Sequence, residues 1–252
     1  MEPQPLVSII TVVYNGVKTL EQTIQSVLNQ TYKNIEYILI DGGSTDGTLD
    51  IIKKYEDQIA FWVSESDKGL YDAMNKGISK ANGTIIGMVN SDDWYEPNAV
   101  ELIVKAYRQN PEKKIFHGDR FDILEDGTKQ LRKFHASRFK FLYYGMTYNH
   151  PSMFVHKAIY QENSYNTSLK ALSDYEFVLT QYLNNKNIFF YIQEAYVNYR
   201  LDGISAQMKL KQSLSEGFIS RKNARQNIIR NSFAYIIRLS VFLVYKLGSS
   251  KS

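Results

Sequence analysis

No cysteine occurs in this chain of 252 residues. That excludes a disulfide framework, a thiolate metal centre and redox chemistry at sulfur, and it suits a reducing cytoplasm. Strong net charge is also missing, since 30 Lys and Arg stand against 26 Asp and Glu, leaving +4. A uniformly basic nucleic-acid binder does not look like this, so no nucleic-acid partner is expected. No segment reaches the roughly 20 apolar residues of a membrane span. The nearest, Phe233–Leu247, is interrupted by Arg238 and Lys246. Residues 1–5 lack the positive flank of a signal peptide, and Leu6–Val13 is short enough to be a buried strand. Internal repeats and low-complexity tracts are absent, and 44% hydrophobic with 22% charged residues is ample for a real core.

What charge there is divides unevenly. Residues 1–208 carry 21 Lys and Arg against 25 Asp and Glu, net −4, whereas residues 209–252 carry 9 against the single Glu216, net +8. An acidic body with a basic tail is expected. In the tail, cations such as Lys209, Arg221, Arg225 and Arg238 alternate with Leu214, Phe218 and Ile228. That pattern suits an amphipathic helix lying on an anionic membrane surface, or else a helix packed on the body or on a second subunit.

In the first half, β-branched runs alternate with helical patterns. Strands are predicted at Val7–Val13, Ile35–Ile40, Ala60–Ser64 and Thr84–Val89, with helices at Val17–Leu28, Leu49–Tyr55, Leu70–Lys80 and after Pro97. This order predicts an α/β fold with a mostly parallel central sheet covered by helices. Beyond residue 112 a hairpin is predicted, with Arg120–Leu124 and Gln130–Phe134 flanking Glu125-Asp126-Gly127, then a helix over 174–183 and a strand over 188–191. Ligands of such sheets bind beyond the carboxyl ends of the strands. Three polar clusters meet there: Tyr14-Asn15-Gly16, Asp41-Gly42-Gly43 and Asn90-Ser91-Asp92-Asp93.

Asp92 and Asp93 offer hard oxygens suited to Mg²⁺ or Mn²⁺ shared with a substrate's phosphates, although a solvated helix-capping loop has the same composition. Neither a P-loop nor a G-x-G-x-x-G fingerprint occurs.

Five ordered segments, Ser8–Asn15, Gln30–Tyr32, Ile40–Gly47, Asp67–Asn75 and Asn90–Asp93, resemble the family 2 glycosyltransferases of the GT-A (nucleotide-diphospho-sugar transferase) fold, in the colanic-acid-type bacterial branch. The likeness is close over residues 6–97 and looser to 205. It implies a domain over 1–208, with a nucleotide-sugar half (1–97) and an acceptor half (98–208), followed by a helical C-terminal extension over 209–252.

The resemblance further implies metal-dependent, inverting transfer of a hexosyl or related sugar from a nucleotide-diphosphate donor to an acceptor hydroxyl. The acceptor would be a saccharide or lipid-linked precursor of a cell-envelope polysaccharide, at the cytoplasmic face of the membrane. It assigns Thr11, Tyr14 and Asp41 to the nucleotide pocket, and Lys68, Asp72 and Asn75 to the base, ribose or diphosphate. Asp92 or Asp93 would hold Mn²⁺ or Mg²⁺ on the diphosphate. Asp174 is implied as the general base, with Glu176 as runner-up, although both also suit the first turn of a helix. His150 is a candidate ligand and Arg200 a candidate phosphate clamp. Two departures stand out: Gly42 replaces the second acid of the family's common pair, and Asn90 replaces the first acid of its D-x-D motif. A sugar-phosphate nucleotidyltransferase and a non-catalytic binding protein of the same fold are the alternatives. The former lacks support because Val12–Val17 contains no basic Gly-rich phosphate loop.

Overall fold

Val7–Val13 (β1) is apolar at most positions and buried along its whole length, as a strand covered on both faces must be. The computed structural model describes residues 4–201 and 208–249, with side chains described to residue 242. β1 pairs in parallel with Ile35–Asp41 (β2), from Val7 opposite Ile35 to Val13 opposite Asp41, and on its other side with Ile85–Met88 (β4). Phe61–Ser64 (β3) adds to β2, also in parallel. The crossovers are Leu20–Leu28 (α1), Thr48–Lys54 (α2) and Leu70–Lys80 (α3).

Side chains alternate across β1. Val7, Ile9 and Val13 pack with Leu20, Ile24 and Val27 of α1, and with Val100, Ile103 and Val104 of Ala99–Gln109 (α4). Ile10 and Val12 pack on the other face with Tyr71 and Met74 of α3 and with Val178 and Leu179 of Ser173–Asn185 (α6). Period-2 alternation of apolar residues thus makes two cores, one on each face of a single sheet.

The second half of the chain extends that sheet with mixed polarity. Phe154–His156 (β8) lies antiparallel between β4 and Ile115–Ile123 (β6). β6 then pairs in parallel with Phe189–Arg200 (β9), and Trp94–Tyr95 (β5) closes the far edge against β9, giving the order β3-β2-β1-β4-β8-β6-β9-β5. Lys129–Arg132 (β7) folds back on β6 across the expected turn.

The strand expected at Arg120–Leu124 begins earlier, as Ile115–Ile123, with register shifts at Gly118 and Asp119. A Cβ at Gly118 would lie 2.7 Å from the Glu194 carbonyl oxygen, so the backbones approach closely there because glycine has no side chain. The strand expected over 188–191 runs on to Arg200. β5 and β8, two and three residues long, are too short for a periodic signal.

α1 starts at Leu20, three residues later than expected, because the preceding residues are tied to the β2–α2 loop. The N–H groups of Asn15, Gly16 and Val17 donate to Ser44 Oγ (2.7 Å), Thr48 Oγ1 (2.9 Å) and Asp46 Oδ2 (3.1 Å), and Asn15 takes φ 52°.

The basic tail packs on the body. Leu210–Asn223 (α7) lies on α6, and Ile228–Ser249 (α8) lies on α7 and on a π-helical turn at Lys140–Tyr144. Arg221, expected on a cationic surface, is 1% exposed. Its guanidinium donates to the carbonyls of Leu142 (3.2 Å), Gly217 (2.8 Å) and Tyr143 (3.3 Å). Arg238 is also turned inward, onto Ser213 and over the Tyr144 ring. Among the described residues no helix is long and apolar enough to cross a membrane.

His117 of β6 sits among the rings of Phe134, Tyr148 and Tyr191, with centroids 4.6–5.5 Å away, and its Nδ1 has no partner among the described residues. Burial pushes its imidazole down to about 3. As pH falls below about 6.5 the unfolded chain therefore takes up a proton that the folded chain refuses, and stability drops by up to about 1.4 kcal/mol per pH unit until the folded value is reached. His117→Phe is expected to flatten this acid limb. Urea midpoints of both proteins between pH 7 and pH 4 would show it, and parallel decline of the two would refute it.

Candidate active site

A cleft of about 1890 Å³ opens along the carboxyl edge of β1, β2 and β4 and continues over the second half to α8. Of the residues expected to carry chemistry, it brings together Tyr14, Asp92, His150 and Asp174. Tyr14 is 66% exposed, a free ring face at the end of β1.

Asp174 heads α6. Its Oδ1 accepts from the Tyr71 hydroxyl (3.2 Å) and from the Tyr175 N–H (2.8 Å), and no hydrogen bond among the described residues falls on Oδ2. Burial, and secondarily the Asp174 charge, push the Tyr71 phenol well above its ordinary value, so it remains a donor. Behind it Tyr165 stacks on Tyr71 at 5.7 Å and its hydroxyl meets His150 Nε2 at 2.9 Å. Burial lowers His150, with Asp174 opposing, which favours the neutral ring.

Several expected ligands do not reach the cleft lining. Thr11 is buried in β1 and accepts from the Tyr37 hydroxyl at 3.0 Å. Asp41 is wholly buried; it accepts from the N–H groups of Gly43 (3.1 Å) and Ser44 (3.0 Å) and from the hydroxyls of Ser44 and Ser64. Asp72 accepts from the Lys68 N–H at 3.1 Å and lies 3.7 Å from Lys76, while the Lys68 side chain is exposed outside the lining. Asn75 exchanges two hydrogen bonds with the Tyr165 backbone, 2.8 and 2.9 Å, and so acts on the wall behind His150.

Asp93, paired with Asp92 in the metal expectation, is turned inward and 1% exposed. Its Oδ1 accepts from the Arg200 N–H at 3.0 Å, and burial, then the Asp92 charge, push it well above the carboxylate range. The expectation for a metal ligand therefore narrows to Asp92. Arg200 is not aimed at the cleft either: it donates to the Asp92 carbonyl and to Gln22 Oε1 (2.7 Å) and lies over the Trp94 ring at 4.7 Å. Glu176 faces away from the cleft and accepts from Asn166 and Asn223. Residues 202–205, which follow Arg200, lie outside the described residues.

Among the described residues no group of three or more His, Cys, Asp or Glu converges as a protein-only metal cage would need. Asp92, beside the polar groups of Asn90 and Ser91, offers instead the sparse hard-oxygen set that suits Mg²⁺ or Mn²⁺ when a diphosphate supplies further ligands. The residues fit that role.

Sequence reasoning missed part of the wall. Asp67 fills the space a side chain at position 42 would take, its Oδ2 lying 2.5 Å from the place of a Cβ on Gly42. A carboxylate therefore stands there despite the glycine. Arg120, Arg132, Lys133 and Lys140 also line the cleft. The available signal was the five Lys and Arg within residues 129–140. Phe139, Tyr144, Ile237 and Val241 complete that end.

The tail also fixes the segment that leads into Asp174. Glu216 of α7 is buried, and its Oε2 accepts from the N–H groups of Ala171 (2.9 Å) and Leu172 (3.2 Å), while Ser220 Oγ donates to the Leu172 carbonyl (3.2 Å). Glu216→Ala orphans one buried and one part-buried N–H group, so a loss of about 2 kcal/mol in stability is expected. Glu216→Gln, which keeps an acceptor, should retain most of it; equal losses in chemical denaturation would show that the clamp is unimportant.

The sequence profile of Glycosyl transferase family 2 matches residues 8–164. A chondroitin synthase of Escherichia coli is 30% identical over 211 residues, covering 81% of this chain and 30% of that protein. An uncharacterized glycosyltransferase of Mycobacterium tuberculosis is 41% identical over 108 residues, 42% of this chain and 41% of that protein. The chain thus spans well under half the length of these curated relatives. Among solved structures, S. aureus TarS 1–349 in complex with UDP-GlcNAc aligns over 86% of this chain and 66% of its own, with TM-score 0.68 and 18% identity. Mannosyltransferase PcManGT from Pyrobaculum calidifontis, in complex with GDP-Man and Mn²⁺, aligns over 99% and 81%, with TM-score 0.64 and 11% identity.

Proposed function

The chain belongs to glycosyl transferase family 2 and has the GT-A fold, and on that premise we propose that it transfers a sugar, with inversion, from a nucleotide-diphosphate donor to an acceptor hydroxyl, using Asp174 as general base. The observation that carries this reading is the Asp174 carboxylate facing the same cleft as Tyr14 and Asp92, with Oδ1 held by Tyr71 and Tyr175 and Oδ2 left for a proton.

In the proposed step the acceptor hydroxyl gives its proton to Asp174 Oδ2 while its oxygen bonds to the anomeric carbon. The bond from that carbon to the diphosphate breaks on the opposite face, and the nucleotide diphosphate leaves with the electron pair. Asp174 is suited to this because Tyr71 and Tyr175 fix its orientation and the aromatic wall around Tyr165 excludes water on one side. A divalent cation held by Asp92, when bound, supplies neutralisation of the leaving diphosphate. Tyr14, Asp67 and the backbone at Gly42 and Gly43 form the nucleotide end of the cleft.

The acceptor is proposed to be a saccharide or lipid-linked precursor of a cell-envelope polysaccharide, met at the inner membrane surface. Supporting this, α8 leaves Ile229, Phe233 and Ile236 exposed at 75%, 50% and 58%, spaced along one face, with Lys222, Arg225 and Arg230 exposed nearby. Co-sedimentation with phosphatidylglycerol vesicles should fall at least tenfold in a variant with Ser at 229, 233 and 236. Equal pelleting of both proteins would exclude this surface.

The test of the transferase reading is thermal-shift binding of UDP, GDP, TDP and CDP, each with and without Mn²⁺, followed by turnover of the matching nucleotide sugar. One nucleotide should stabilise the protein in the presence of the metal. Asp174→Asn should keep that binding and lose about 10²–10⁴-fold in kcat. Absence of any nucleotide binding, or full turnover by Asp174→Asn, would sink the assignment.

A further inference from the structure

The cleft is electrostatically divided. Its described lining between residues 12 and 92 includes Asp67 and Asp92 but no Lys or Arg, whereas between residues 120 and 241 it includes Arg120, Arg132, Lys133 and Lys140 against the single acid Asp174. The cationic lining therefore comes from the same half of the chain as the proposed base.

Its composition is costly by itself. Arg120 of β6 lies directly opposite Arg132 of β7 in an antiparallel register, and like charges so placed repel. Arg120 is matched by Asp122 at 2.6 Å and rests on the Tyr199 ring at 4.2 Å. Arg132, Lys133 and Lys140 have no carboxylate within ion-pair distance among the described residues. Beside them two aromatic rings stay open to the cleft, Phe139 at 56% exposure and Tyr144 at 47%. A ring face next to unmatched cations suits a sugar whose ring stacks while its anionic substituent is paired.

We propose that the acceptor carries a fixed negative charge, a carboxylate or phosphate close to the hydroxyl that is glycosylated, and that Arg132, Lys133 and Lys140 pair with it while Phe139 and Tyr144 support the adjoining sugar ring. This rests on the glycosyltransferase reading and adds the chemical class of its acceptor. A neutral acceptor would offer these three exposed cations no counter-charge. The donor diphosphate is accounted for at the other end, where Asp92 offers a cation site.

The experiment is calorimetric titration of the full chain, with and without its bound nucleotide and Mn²⁺, using three probes. These are a glucuronate-containing tetrasaccharide, a sugar joined through diphosphate to a short isoprenoid, and an uncharged glucose tetrasaccharide. At least one anionic probe is expected to bind about tenfold more tightly than the uncharged one, the scale that three partly exposed ionic contacts provide. Which of the two binds identifies the source of the charge. A variant combining Arg132→Gln, Lys133→Gln and Lys140→Gln should lose that advantage while its nucleotide affinity stays within twofold. The proposal is overturned if neither anionic probe surpasses the uncharged one, or if the triple variant loses nucleotide binding in step with probe binding, which would assign the cations to the donor. Failure of the wild type to bind any nucleotide would count against the transferase reading instead, and the titrations without nucleotide still report on the anion site.

Discussion

A carboxylate with no exposed surface must be matched by donors, and Asp41 is the place where this requirement organises the molecule. It ends β2, and its two oxygens collect the Gly43 and Ser44 amides and the Ser44 and Ser64 hydroxyls. Ser44 Oγ in turn accepts from the Asn15 N–H, tying the end of β1 to the same knot. An unmatched charge buried this deeply would cost several kcal/mol. The loops at the carboxyl ends of β1, β2 and β3 therefore hold one arrangement, and that end of the cleft is shaped by the chain's own hydrogen bonds. Asp41 serves the site by shaping its wall from behind.

The same logic runs through the second half, where polar groups from distant parts of the chain satisfy one another around Asp174. Asn75 grips the Tyr165 backbone, Tyr165 meets His150, Tyr71 reaches Asp174, and Glu216 holds the two amides just ahead of α6. Each bond spans a long stretch of sequence or joins different elements. The basic tail takes part through Arg221, whose buried guanidinium serves three carbonyls and lies over the Tyr175 ring at 5.4 Å. A guanidinium can be buried without a carboxylate when its donors all meet backbone oxygens. Part of the tail's positive charge is thus spent inside the protein, while Lys222, Arg225 and Arg230 remain outside with the apolar face of α8.

Polarity along the cleft links these two halves to chemistry. Its acidic lining, Asp67 and Asp92, comes from the first half of the chain, while its basic lining, from the β6–β7 hairpin and the segment that follows, comes from the second half, as Asp174 does. The motifs that carry the family resemblance cover the first. The second lies partly in residues whose sequence shows only a run of charge.

The sequence by itself determined the α/β pattern, the mostly parallel sheet, the β6–β7 hairpin and the family, because each depends on local periodicity, turn residues or contiguous motifs. It also picked out Tyr14, Asp92 and Asp174 as residues that meet in one cleft. Only the tertiary structure decided which of two neighbouring carboxylates is available. Asp92 lines the cleft while Asp93 is buried against the Arg200 N–H; Asp174 faces in while Glu176 faces Asn166 and Asn223. It decided likewise that Asp67 stands beside Gly42 and that Arg221 points inward. Adjacent residues share a sequence context but not an orientation, and orientation is set by which distant partners can satisfy a polar group at the lowest desolvation cost.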